Sequence, residues 1–395
     1  MNNIKYNRIG VVGSGAMGVG IAQVCASAGA QVLVYDHDAS ALERGRQNQE
    51  ASVTKLLAKF KISPEEAQQI RENIQYVDDL TAFNDRDVVI EAIIEDLAVK
   101  QALFVQLESI VQNSTILASN TSSLSITAIA SACSQPERVL GIHFFNPAPL
   151  MVLVEVIPAL QSRAGLAEDM RNWVDSLGKL PVVVKDTPGF IVNRVARPYY
   201  SEALRILEEG IADIHTIDRV MTERGGFRMG PFQLMDFIGH DVNYRVTHSM
   251  YEAFFHEARY KPSLTQKSLF DAGFYGRKSG RGFYTYSESG QAAAPNQVEE
   301  SSPQVSEQLF LRILVMLINE AAEALYYGIA TRDDIDLAMT TGVNYPKGLL
   351  QWADEIGAKR IQEVMDALYE YYHEERYRLS PLLRMMASSG QKFYE

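Results

Sequence analysis

Arg8-Ile9-Gly10-Val11-Val12-Gly13-Ser14-Gly15-Ala16-Met17-Gly18 carries the reading of the fold. Ile9, Val11 and Val12 make the first part strand-like, a glycine turn follows, and a helical pattern runs from Ile21 to Ala28. In this GxGxxG spacing the first glycine permits the tight turn. The second lets a pyrophosphate approach the backbone, and the third allows helix and strand to pack closely. Gly13, Ser14, Gly15, Ala16, Met17 and Gly18 are therefore candidates for holding a dinucleotide at the positive end of a helix dipole. A glycine motif alone is a weak signal. Here strand, turn and helix come in the required order.

Val32-Leu33-Val34-Tyr35 reads as the second strand and ends at Asp36. A carboxylate there accepts hydrogen bonds from the adenosine ribose and repels a 2′-phosphate. His37 and Asp38 follow, with no arginine to receive such a phosphate, which points to NAD rather than NADP. Further strand-like runs lie at Val88-Glu91, Thr115-Ala118, Val139-Phe144, Val152-Ile157 and Pro181-Val184. Their alternation with helical patterns predicts a parallel sheet covered by helices, over residues 1–187. Asp186-Thr187-Pro188-Gly189-Phe190 marks its end, with Asp186 or Thr187 available to cap the helix that follows.

From 188 to 286 the pattern is helical, closing on the stretch Gly276-Arg277-Lys278-Ser279-Gly280-Arg281-Gly282. Residues 287–304 are poor in large apolar groups and read as a flexible linker. Residues 305–395 are helical again and repeat the preceding segment. Glu202, Gly210, Asp218, Gly230, Asp236 and Gly239 recur 118 positions later as Glu320, Gly328, Asp336, Gly348, Asp354 and Gly357. One constant offset across turn and cap residues indicates a duplicated helical domain. The fold class expected is an α/β Rossmann-type domain followed by two tandem all-α domains. The copies are expected to pack on each other about a pseudo-twofold axis.

The 395 residues carry a formal net charge of -12, which disfavours a nucleic acid or a membrane surface as partner. No apolar run reaches the length of a membrane span, and no secretion-signal pattern precedes the first strand. The two cysteines, Cys25 and Cys133, stand in no metal-ligand spacing, so no metal site is expected. Their scarcity fits a reducing cytoplasm.

Three stretches carry candidate chemistry. Ser119-Asn120-Thr121-Ser122-Ser123 follows a buried strand and would face the ligand crevice of an open α/β sheet, although Thr121 or Ser122 could equally cap a helix. His143 stands among apolar residues, which more often marks a hydrogen-bonded core histidine. In Val152-Leu153-Val154-Glu155-Val156-Ile157, however, one carboxylate interrupts an apolar strand and needs a partner when buried. If Asn146-Pro147-Ala148-Pro149 turns the chain, positions 143 and 155 lie opposite each other on paired strands. A carboxylate on one ring nitrogen leaves the other as a base. Asn193 opens the first helix beyond the boundary and by itself reads as structural.

The glycine motif, Ser119-Ser123, His143-Phe144-Phe145-Asn146-Pro147, Val154-Glu155-Val156-Ile157 and Pro188-Gly189-Phe190-Ile191-Val192-Asn193-Arg194 together resemble the L-3-hydroxyacyl-CoA dehydrogenase family over nearly the whole chain. The resemblance implies that His143 takes the proton of the 3-hydroxyl of an acyl-CoA thioester while hydride passes to NAD. Glu155 would orient His143, and Ser122 and Asn193 would hold substrate oxygens. It further implies cofactor contacts at Glu95, Lys100, Ser122 and Lys278, and coenzyme A contacts at Ser52 and Lys59. Against the last, Lys55, Lys59 and Lys61 read equally as a solvated helix face. The duplicate is similar to the second carboxyl-terminal domain of longer members, including those of phenylacetate catabolism that act on 3-hydroxyadipyl-CoA. Those members carry an extra domain between the copies that this chain lacks. For a dicarboxylic acyl group, Arg194 and Arg197 are the cations available on the cleft-entry helix.

Two other readings use the same fold: a dehydrogenase of a free hydroxy acid such as a sugar acid, and a nonenzymatic NAD-binding redox sensor. The complete set of Ser122, His143, Glu155 and Asn193 disfavours the sensor. Only the lysine cluster disfavours the free acid. At offset 118 Asn193 becomes Leu311, so the second copy is expected to be structural. Shorter members use the helical domain to form a homodimer, so the resemblance implies a homodimer as the candidate assembly, with the tandem copy packing within the chain.

Overall fold

Eight strands form one sheet in the computed structural model, which describes residues 5–292 and 302–394. They are β1 (Arg8–Val12), β2 (Gln31–Tyr35), β3 (Ile74–Val77), β4 (Val88–Glu91), β5 (Ile116–Ser119), β6 (Val139–Phe144), β7 (Leu153–Pro158) and β8 (Leu180–Val183). The spatial order is β3-β2-β1-β4-β5-β6-β7-β8. Neighbours are parallel except at β6 and β7, which pair antiparallel. Helices α1 (Ala16–Ser27), α2 (Ala39–Ala58), α3 (Pro64–Asn73), α4 (Leu97–Ile110), α5 (Ile126–Ala130) and α6 (Leu166–Ser176) accompany the sheet. Central strands β1 and β4 are apolar between Arg8 at the start of the one and Glu91 at the end of the other, because helices bury both faces of a parallel sheet.

β3 is absent from the expected strands. It has four residues, two of them polar, lies at the sheet edge and pairs only with β2, so no buried run announces it. Asp186 also differs from expectation. Its carboxylate accepts from the backbone N–H of Ile126 and Thr127 at 3.1 and 2.7 Å and so caps α5, while the helix after the boundary has no side-chain cap.

The chain divides into two compact units between Phe190 and Ile191. Phe190 is buried, with its ring 5.9 Å from that of His143, which holds the Pro-Gly-Phe tail in the first unit. The second unit is all helical: α7 (Val192–Val195), α8 (Arg197–Glu208), α9 (Ile214–Arg219), α10 (Pro231–Ile238), α11 (His240–Ala253) and α12 (Leu264–Asp271), then α13 (Pro303–Tyr326), α14 (Arg332–Gly342), α15 (Leu349–Ile356), α16 (Ala358–Tyr372) and α17 (Pro381–Ser389). Most of the expected linker, 293–301, lies outside the described residues.

The two helical copies pack into this single unit by exchanging partners. Arg194 Nε donates to Glu320 at 2.7 Å, and its counterpart Arg312 donates to Glu202 at 2.6 Å. Tyr260 and Tyr377 donate their hydroxyls to the same two glutamates, each at 2.6 Å. Such reciprocity is the signature of a twofold, self-complementary contact. The repeated acids hold each copy together in the same way. Asp218 accepts from Phe232 and Gln233 N–H at the start of α10, and Asp336 from Leu350 and Gln351 N–H at the start of α15. A Cβ on Gly230 or Gly348 would strike the matching aspartate at 2.3 Å, so each Asp–Gly pair interlocks sterically.

Arg194 and Arg197 do not serve as free cations for a distal carboxylate. Arg194 is buried on Glu320. Arg197, 3% exposed, donates to Thr247 and to the Asn193 carbonyl.

Candidate active site

At the carboxyl end of β1 the chain turns at Gly13, whose φ of +103° is left-handed and where a Cβ would lie 2.5 Å from the Ala92 carbonyl. A Cβ on Gly18 would lie 1.9 Å from the Gly13 carbonyl, so only glycine lets α1 seat against the turn. Around Gly15 the space is open, and α1 begins without any side-chain cap. Its first N–H groups are thereby left to a phosphate. Asp36, just beyond β2, accepts from Ser14 N–H and hydroxyl at 2.8 and 2.9 Å. Burial pushes its carboxyl up, but the hydrogen bonds from Ser14 and Asp38 outweigh this and hold it below the ordinary value. A recess of about 260 Å³ adjoins, lined by Gly13, Asp36, His37, Ile93 and Leu103. Open backbone, uncapped helix and carboxylate together fit a dinucleotide.

A buried polar chain runs from β4 to the serine loop. Glu91, 0% exposed, accepts from Lys100 Nζ at 2.5 Å, Ile93 N–H at 2.7 Å and Ser119 Oγ at 2.6 Å. Lys100, 1% exposed, also pairs with Glu95 at 3.4 Å. Glu95 gathers the loop by accepting from Thr121 Oγ1, Ser122 N–H and Ser123 Oγ at 2.6, 3.1 and 2.9 Å. Burial raises its carboxyl, and the bonds from Thr121 and the charge of Lys100 bring it below its usual range. Glu95, Lys100 and Ser122 are thus brought together, with Lys100 acting on the two carboxylates. Ser125, not Thr121 or Ser122, caps α5 from this side. Glu91 was not among the expected site residues. Its signal was available: an acid ending the apolar run Val88-Val89-Ile90, the same cue that singled out Glu155.

β6 and β7 pair with His143 directly opposite Glu155. His143 Nδ1 and Glu155 Oε2 are 2.6 Å apart, with side chains 7% and 1% exposed. A carboxylate only accepts, so the δ nitrogen carries the proton and Nε2 holds the free lone pair. The rings of Phe145 and Phe190 stand 4.5 and 5.9 Å from the imidazole and dry its surroundings. Two residues fix this hairpin: Asn120, which the sequence places in the polar run without a role of its own, and Lys179, which the sequence does not single out. Asn120 Oδ1 accepts from Phe144 N–H at 2.8 Å and ties the serine loop to β6. Lys179 donates to the Ala148 and Met151 carbonyls at 2.7 and 2.8 Å and anchors the turn.

Ser52, Lys55, Lys59 and Lys61 line a cleft of about 500 Å³, facing Asn146 and Pro147. Ser52 donates to Gln23 Oε1 at 3.1 Å. Asn193 and Lys278 belong to the second unit, where the Asn193 carbonyl accepts from Arg197 and Lys278 is ion-paired with Asp241. Leu311 takes the place of Asn193 in the second copy. Among the described residues no group of three or more His, Cys, Asp or Glu is arranged for a metal, and no helix is long and apolar enough to cross a membrane.

A glycine turn feeding an uncapped helix, together with a buried His–carboxylate pair on the same sheet, fits the class of nicotinamide-dependent dehydrogenases. Residues 8–187 match the family description "3-hydroxyacyl-CoA dehydrogenase, NAD binding domain", and residues 189–286 and 310–393 both match "3-hydroxyacyl-CoA dehydrogenase, C-terminal domain". The chain belongs to the 3-hydroxyacyl-CoA dehydrogenase family, whose members are NAD-dependent oxidoreductases. It is 39% identical to the 3-hydroxyadipyl-CoA dehydrogenase of Escherichia coli (strain K12), over 97% of this chain and 98% of that one. That alignment spans 465 positions against 395 residues here, so the relative has residues without counterpart. A probable 3-hydroxybutyryl-CoA dehydrogenase of Deinococcus radiodurans is 41% identical and covers 71% of this chain and 100% of its own length. A crystal structure of 3-hydroxybutyryl-CoA dehydrogenase from Escherichia coli K12 superposes with a TM-score of 0.91 at 38% identity, covering 97% of this chain and 98% of that one.

Proposed function

We propose that this NAD-dependent 3-hydroxyacyl-CoA dehydrogenase acts on short-chain L-3-hydroxyacyl-CoA thioesters, with His143 as general base and Glu155 as its positioning partner. The observation that carries the reading is the 2.6 Å contact between His143 Nδ1 and Glu155, which leaves Nε2 as the basic atom. In the oxidative direction Nε2 takes the proton from the 3-hydroxyl as the C3–H bond gives up its hydride. Glu155 balances the imidazolium that forms, and proton return from Nε2 serves the reverse reaction. Ser122 and Asn193 hold the substrate oxygens.

NAD, when bound, supplies the hydride acceptor at its nicotinamide ring. Gly13, Ser14, Gly15, Ala16, Met17 and Gly18 would hold its pyrophosphate and Asp36 its adenosine ribose. Glu95, Lys100, Ser122 and Lys278 would serve its nicotinamide half. Ser52 and Lys59 would contact coenzyme A, a reading supported by their shared cleft. Short acyl groups are favoured over dicarboxylic ones because Arg194 and Arg197 are already engaged inside the helical unit. The same reading keeps the chain in a reducing cytoplasm, where its buried free thiols Cys25 and Cys133 persist; cell fractionation tests this.

NADH oxidation followed by absorbance with acetoacetyl-CoA, longer 3-oxoacyl-CoAs, 3-oxoadipyl-CoA and free 3-oxo acids tests the substrate assignment. The highest kcat/KM should fall on acetoacetyl-CoA. A preference for 3-oxoadipyl-CoA would overturn the chain-length reading, and turnover of free acids alone would overturn the thioester.

A further inference from the structure

The coenzyme A cleft has an unexplained residue at its lysine-rich end. Asn48, Ser52 and Lys55 recur at three- and four-residue spacing along one face of α2, Lys59 is its C-cap, and with Lys61 they line the cleft. The opposite wall includes Asn146 and Pro147, a few residues beyond His143. Among the described residues none of the three lysines is ion-paired, so a chain of net charge -12 keeps a local cluster of uncompensated cations here.

Between Lys59 and Lys61 stands Phe60. Helix α2 ends with Phe60 N–H on the Leu57 carbonyl at 3.0 Å and Lys61 N–H on the Leu56 carbonyl at 2.9 Å, a Schellman closure. That closure needs a left-handed residue, and Phe60 has φ of +53°. Glycine adopts this conformation freely, whereas a side chain crowds the backbone. The phenyl is 95% exposed, so the core gains nothing from it. A bulky residue in a glycine position, presented to water and flanked by cleft-lining lysines, has the chemistry of a ligand contact. An isolated aromatic between two cations does not suit an apolar protein interface. It suits a ligand with a π-face beside phosphates.

We propose that Phe60 is the stacking platform for the adenine of the coenzyme A thioester, with Lys55, Lys59 and Lys61 receiving its phosphates. The inference rests on the acyl-CoA reading above and adds to it a subsite for the nucleotide end. Aromatic–base stacking of this kind, removed by substitution, changes affinity about 5- to 100-fold.

Kinetics of the full-length enzyme test this with two substrates that differ only in the nucleotide: acetoacetyl-CoA and acetoacetyl-pantetheine. In Phe60→Gly the ratio of kcat/KM for acetoacetyl-CoA to that for acetoacetyl-pantetheine should fall about 5- to 100-fold. Phe60→Trp, which keeps a π-face, should preserve the ratio. The thermal midpoint of Phe60→Gly should not drop, because glycine suits the closure, so loss of fold cannot mimic the result. A ratio equal to the wild type's in Phe60→Gly would overturn the proposal. Calorimetry with free coenzyme A gives the same decision without turnover: affinity must fall in Phe60→Gly, and equal affinity overturns it. A wild type that binds coenzyme A but reduces no thioester would instead refute the dehydrogenase reading.

Discussion

Replacing Glu155 by glutamine keeps shape and removes one charge, which makes it the sharpest probe of the His143 pair. The two side chains are 7% and 1% exposed and their polar atoms lie 2.6 Å apart. Unit charges about 4 Å apart, the separation of the charge centres, interact by about 4 kcal/mol at an effective dielectric near 20. That energy appears only once Nε2 has taken the substrate proton and the imidazole is cationic, so it lowers the barrier rather than the ground state. Losing it predicts a fall in kcat of about 10³-fold. A glutamine amide that donates to Nδ1 would also favour the wrong tautomer, with the proton on Nε2, and deepen the loss toward about 10⁴-fold. The assay is NADH absorbance with acetoacetyl-CoA at saturation, alongside NADH binding by fluorescence, which should stay near wild type. His143→Gln should show the same pattern at about 10²–10⁴-fold. A folded Glu155→Gln enzyme with near-normal kcat would refute the dyad, because no other buried anion pairs with His143 among the described residues.

Asp36 should enforce NAD: wild-type kcat/KM with NADH should exceed that with NADPH, and Asp36→Ser should shift the ratio about 10- to 100-fold, as expected for a charged hydrogen bond. Equal wild-type constants would show the assignment to be wrong. Glu320→Ala leaves Arg194 buried without its carboxylate, and Arg259 with Glu323 alone, and should cost about 3–5 kcal/mol in urea unfolding. A loss below about 1 kcal/mol, the scale of a surface pair, would deny the exchanged ion pairs any part in holding the copies together. Burial, with repulsion from Asp236, pushes the Asp218 carboxyl up to about 7 despite its donors Phe232, Gln233 and Tyr284. Because the folded pKa lies above the unfolded one, the fold holds the proton more tightly. Stability should therefore decline as pH rises from about 4 toward 7, by up to ~1.4 kcal/mol per unit. Asp218→Asn should reduce that slope between pH 5 and 7, leaving the share of Asp336, whose carboxyl burial also raises, and parallel wild-type and variant curves would refute it.

Much of this protein is legible in local pattern. The glycine turn is read from its place between an apolar run and a helix. The His143–Glu155 register follows from a turn midway between them, because antiparallel strands pair residues symmetrically about their loop. The duplication is read from one offset, and the exchange of Arg194–Glu320 for Arg312–Glu202 gives that offset its physical content. What sequence withheld are partners set by three dimensions. Arg194 and Arg197 look like free cations on a helix until Glu320, 126 residues from Arg194, and Thr247, 50 residues from Arg197, are seen beside them. Asp186 sits where it could cap the next helix, yet the sheet carries it to α5, 60 residues earlier. Glu91 and Lys100 meet only because β4 and α4 fold back on each other around Ile93. A charged side chain reports in sequence that it needs a partner, since burying it alone is costly. Which partner it finds depends on the packing of segments that no period or spacing connects.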